Sequence, residues 1–95
     1  MTDEDNLRRE TTRGREAQAL LDNELLKDAM TYLEQCYLDV WKVAKTPQAR
    51  EECWHNYKGH QRFLQHFETV VSNGRLADEQ IAQMVRAQKR ERQHA

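Results

Sequence analysis

Apolar residues in the middle of this chain recur at alternating spacings of four and three, the signature of helices with one buried face. Leu26, Met30, Leu33, Tyr37, Val40 and Ala44 form the first such row, and Asp22 and Asn23 precede it as good N-cap residues. The pattern predicts an amphipathic helix over about 23–45. A flanking row of Leu25, Ala29, Cys36 and Trp41 widens its stripe, as expected for a helix with more than one neighbour. Thr46 then reads as an N-cap and Pro47 as the first helical residue, where a missing N–H costs nothing. Cys53, Tyr57, His60, Leu64, Phe67 and Val71 repeat the rhythm and predict a second helix over 47–72, flanked by Trp54, Phe63 and Val70. Asn73-Gly74 reads as its stop, because that dipeptide readily takes the left-handed conformation of helix ends. Leu76, Ile81, Met84 and Val85 mark a shorter C-terminal helix over about 77–93, whose acids and bases complement its dipole.

Residues 1–19 behave differently. Leu7, Ala17 and Ala19 are their only apolar side chains after Met1, so they read as a polar arm or frayed helix, with a break expected near Gly14. The whole chain therefore reads as one all-α domain over 1–95: a polar arm or helix, a core over 22–72, and the C-terminal helix. The short connection at Thr46 makes the two long helices antiparallel neighbours, a helical hairpin. Pairing about that turn sets Val40 near Cys53, Leu33 near His60, Met30 near Leu64 and Leu26 near Phe67. A hairpin alone leaves half of each stripe exposed. A second copy of the protein is the expected cover, with Trp41, Trp54, Phe63 and Val70 as its contact residues.

Composition narrows the classes of function. Ninety-five residues make one small domain, and 3 Gly with 1 Pro are too few for a barrel or sandwich of short strands. Lys and Arg number 15 against 16 Asp and Glu, a net charge of −1, so any polyanion site must be local. No apolar run approaches the roughly 20 residues of a membrane span, and Met-Thr-Asp-Glu-Asp is not the start of a secretion signal. The expected location is the cytoplasm. Cys36 and Cys53 read as reduced core thiols, because in the hairpin they sit about one helical turn, roughly 6 Å, out of register.

Catalytic groupings are not evident. His55, His60 and His66 are spaced by five and six, whereas two ligands on one helical face need three or four. Cys53 and His60 lie two turns apart on one helix, about 10 Å along its axis, too far for a nucleophile and its base. Glu51-Glu52 and Asp78-Glu79 are adjacent carboxylates that diverge around a helix. The expectation is a protein that is not an enzyme and has no metal and no cofactor. Gly59 interrupts a well-formed stripe, which fits either a close approach near Leu33 or a tolerated surface glycine. Arg86, Lys89, Arg90 and Arg92 stand against Glu91 alone in the last eleven residues, a candidate for phosphate contact without base readout. A helix-turn-helix reader would need a short three-helix unit, which the long hairpin does not resemble.

Leu7-Arg8-Arg9-Glu10, Ala17-x-x-Leu20-Leu21-Asp22-Asn23, Leu33-Glu34, Tyr37, Trp41, Phe63-Leu64 and the run from Val70 to Leu76 resemble small all-helical proteins of tailed bacteriophages and prophages. Such proteins are similar in size and helical content to small terminase subunits and head-assembly factors. The resemblance implies a multimeric, non-enzymatic role in particle assembly or genome packaging, in the host cytoplasm or associated with the virion. Two alternatives stand beside it: DNA binding by the basic C-terminus once oligomerisation multiplies it, and inhibition of a host or defence protein through Asp3, Glu4 and Asp5.

Overall fold

A computed structural model describes residues 2–94, with the His94 side chain excluded; Met1 and Ala95, the outer ends of the arm and of the basic segment, lie outside the described residues. The chain is all-α. Three helices, α1 (Asp3–Leu21), α2 (Glu24–Val43) and α3 (Pro47–His94), account for nearly every described residue.

The helix starts follow local chemistry. Asn23 caps α2 by accepting the Leu26 N–H on its side-chain oxygen at 3.0 Å. Thr46 caps α3 in the same way, its Oγ1 accepting from Ala49 N at 3.1 Å, with Pro47 in the first turn. At α1, Asp5 N donates to Thr2 Oγ1 and Thr2 N donates back to Asp5 Oδ2, a reciprocal capping box. Hydrogen bonding to the Thr2 side chain, then to its backbone N–H, holds the Asp5 carboxyl below its usual range. A depressed folded value makes this contribution complete above the unfolded pKa of about 3.8 and lost as pH falls through the folded value. Replacing Thr46 by alanine should cost about 1 kcal/mol in chemical denaturation, whereas Thr46→Asp should retain most of it.

Two sequence expectations are corrected here. There is no helix stop at Asn73-Gly74 and no separate helix over 77–93, because α3 runs unbroken from Pro47 to His94. Nor is α1 broken at Gly14. None of the glycines has positive φ, so neither Gly14 nor Gly74 serves as a hinge or a left-handed cap.

The reason lies in packing. The chain divides into two compact units, Met1–Gln18 with Glu68–Ala95, and Ala19–Phe67. In the first unit, Thr11, Gly14 and Ala17 of α1 are buried, as are Val71, Gly74 and Ala77 of α3. A Cβ added to Gly14 would lie 2.8 Å from the Gly74 Cα, and one added to Gly74 would lie 2.7 Å from the Gly14 Cα. The two backbones touch. Each helix omits a side chain at the crossing, and alanine, valine and threonine on either side complete a seam of small residues. Arg15 reaches Asp78 at 3.9 Å and Arg75 reaches Gln18 at 3.4 Å, so the helices run in opposite directions here. The Thr11 hydroxyl, buried in the seam, donates to Leu7 O one turn back and is satisfied.

In the second unit Tyr37 is the central contact. Its carbonyl accepts from the Cys53 thiol at 3.0 Å, and its ring meets Tyr57 and His60 edge-on, with centroids 6.5 and 5.7 Å away. Cys53 and His60 are buried, and His60 Nε2 has no hydrogen-bond partner among the described residues. Both thiols are free. Gly59 faces open space, the surface-glycine alternative of the two read from sequence.

Candidate interaction surface

Helix α2 is the most apolar of the three helices, and not one of its residues is buried. This is the opposite of what its sequence asks for. Periodicity at 100° per residue separates its apolar side chains into two rows. Leu26, Met30, Leu33 and Tyr37 form one, and through Tyr37 it meets α3. Leu25, Ala29, Tyr32, Cys36 and Val43 form the other, and Leu25, Tyr32 and Val43 are 79%, 69% and 72% exposed. A hydrogen bond with the Cys36 thiol one turn away raises the Tyr32 hydroxyl above its ordinary pKa.

A second apolar surface is a groove between α2 and α3 within the same unit, lined by Tyr37, Leu38, Trp41, Cys53, Trp54 and Tyr57. Trp41 and Trp54 remain 45% and 46% exposed. Pro47 and Arg50 extend the surface at the turn between the helices. Trp54 is held in place by Tyr57, 6.3 Å away, and by the Lys58 ammonium, 4.6 Å from its ring centre. Such a groove offers large, amphipathic rings with their faces partly open to solvent, the residue types that anchor protein contacts.

The four contact residues read from sequence are thus divided. Trp41 and Trp54 share the groove. Phe63, half exposed, packs edge-on against Phe67 at 5.1 Å. Val70 belongs to the first unit, where its carbonyl oxygen would sit 3.2 Å from a Gly14 Cβ. Leu25, Tyr32, Leu38, Val40 and Val43 are exposed apolar residues absent from that set. Of these, Leu25 belongs to the flanking row read from sequence and Val40 to the main row, whereas Tyr32, Leu38 and Val43 lie in neither.

Arg86, Lys89, Arg90 and Arg92 all lie on α3, fully within the helix and exposed, and make no ion pair among the described residues. Helical spacing sets Arg86, Lys89 and Arg90 on one face, with Arg92 one turn beyond Lys89 at its edge. The acidic N-terminus is engaged locally, with Glu4 paired to Arg8 at 2.8 Å and Asp5 in the capping box. His55 pairs with Glu51 at 3.7 Å, and His66 stacks edge-on against Phe67. Among the described residues no cluster of three or more His, Cys, Asp or Glu could hold a metal ion, and no helix is long and apolar enough to cross a membrane. Comparison of the chain with protein-family models, curated proteins and solved structures gives no match.

Proposed function

We propose that this chain is a non-enzymatic interaction protein that self-associates through the apolar surface of its second unit, with α2 and the first half of α3 acting as an antiparallel hairpin. The observation that carries this reading is a 20-residue amphipathic helix without a buried residue. Among the described residues no large side chain is fully buried, so association would add to a small core. A role in particle assembly or genome packaging, in the host cytoplasm or with the virion, is part of this proposal and rests on the sequence resemblance alone.

Light scattering across the micromolar range tests the reading. A mass that is a multiple of 11.3 kDa is expected, with a blue shift of tryptophan emission as concentration rises. A mass of 11.3 kDa throughout would overturn it.

A second reading, DNA binding by Arg86, Lys89, Arg90 and Arg92, draws on their exposure and lack of ion pairs among the described residues. Contact with several phosphates makes retention on DNA fall steeply with salt. Truncation after Met84 should abolish such retention; retention that survives the truncation counts against these residues.

A further inference from the structure

Resting on the self-association just proposed, we infer that the partner of α2 is α2 of a second copy, running antiparallel about a twofold axis near residue 34. The outer row on α2, exposed except at half-buried Cys36, is a heptad seam: Leu25, Ala29, Tyr32, Cys36, Asp39 and Val43 alternate in steps of four and three. In an antiparallel pair centred on residue 34, Leu25 meets Val43 of the other copy, Tyr32 meets Cys36, and Ala29 meets Asp39. Each large side chain faces a smaller one. Asp39 is the sole charge in the seam, and its carboxylate is already held by Gln35 Nε2 at 2.9 Å. Ala29, opposite, leaves room for that pair.

Charge fixes the direction. Asp28 and Lys42 flank the seam on the same side, near its two ends, and neither makes an ion pair among the described residues. Elsewhere on the helix, Glu24 is occupied by Lys27 at 3.7 Å. Antiparallel packing brings equivalent flanking positions of the two copies together, so Asp28 of each copy faces Lys42 of the other, twice per dimer. In a parallel pair the same residues would border the row of Leu26, Leu33 and Val40, which carries no charge. Two uncompensated charges of opposite sign at opposite ends of an uncovered seam are matched by an antiparallel copy of the same helix. Opposed helix dipoles favour the same direction.

The test is a charge exchange combined with cross-linking, on the full chain. Asp28→Lys and Lys42→Asp each place like charges across the seam and should weaken the dimer by roughly tenfold or more. The double variant restores the pairing and should return the dissociation constant close to that of the wild type. In a Cys36→Ala background, Gln35→Cys should form an intermolecular disulfide under mild oxidation, because residue 35 meets its own counterpart near the axis. Glu34→Cys, on the face of the helix opposite the seam, should cross-link more slowly. Helical circular dichroism identifies any variant that fails to fold. A wild-type dimer showing neither rescue nor cross-linking overturns the α2 seam and leaves self-association standing through another surface, such as the tryptophan groove. A wild-type monomer at every concentration overturns both, and means that another protein covers α2.

Discussion

Replacing Gly74 by alanine is expected to destabilise the protein, although alanine is the better helix former. The new methyl carbon would sit 2.7 Å from the Gly14 Cα and 3.0 Å from the Glu10 carbonyl oxygen. Both are backbone atoms, which move only if α1 and α3 separate. Overpacking of this kind costs about 1–3 kcal/mol, against a gain of roughly 1 kcal/mol in helix propensity. Gly74→Leu enlarges the clash and should detach α1 from α3. Gly59→Ala in the same helix is the internal control. Nothing lies within 4 Å of its added methyl, so the variant should gain roughly 0.5–1 kcal/mol. Urea denaturation of the two alanine variants should therefore give shifts of opposite sign. Stabilisation by both would mean that the two glycines do not meet.

Tyr37→Ala should have the largest effect in the second unit. Its ring joins Tyr57 and His60, and truncation removes both contacts while leaving the backbone carbonyl that Cys53 uses. Loss of a large aromatic from a fully packed core costs about 3–5 kcal/mol; Tyr37 is partly exposed, so about 2–3 kcal/mol is expected here. His60→Leu should act in the opposite direction. His60 Nε2 is buried without a partner among the described residues, and an orphaned polar atom costs about 1–3 kcal/mol. An apolar side chain of similar size removes that cost, so a rise in the denaturation midpoint is expected. A fall would show that the imidazole has a partner within the folded protein.

Helical class, the caps at Asn23 and Thr46 and the Pro47 start were legible because each depends on a few adjacent residues. The crossing in the first unit was not. Read one at a time, Gly14 and Gly74 look like breaks, since glycine's backbone freedom is its most common use. Their actual role depends on a neighbour sixty residues away, and no local rule carries that. A trace was nonetheless present: the rhythm through Phe67 and Val71 continues at Gly74, Ala77 and Ile81 if small residues are allowed to mark a seam. Residues 1–19 read as too polar to pack because only apolar side chains enter that count, and Thr11 and Gly14 do not. Two backbones in contact need none. The apolar surface of α2 was legible as excess breadth, whereas the division between groove, outer row and the site of Val70 required coordinates.

The unequal burial of the two thiols makes the protein report on its own opening. Cys36 is partly accessible and should react promptly with an alkylating reagent, whereas Cys53, 5% exposed and aimed at the Tyr37 carbonyl, must wait for α2 to lift from α3. Mass spectrometry of a timed labelling reaction would separate one adduct from two, and the lag between them measures the breathing of the second unit without any introduced probe.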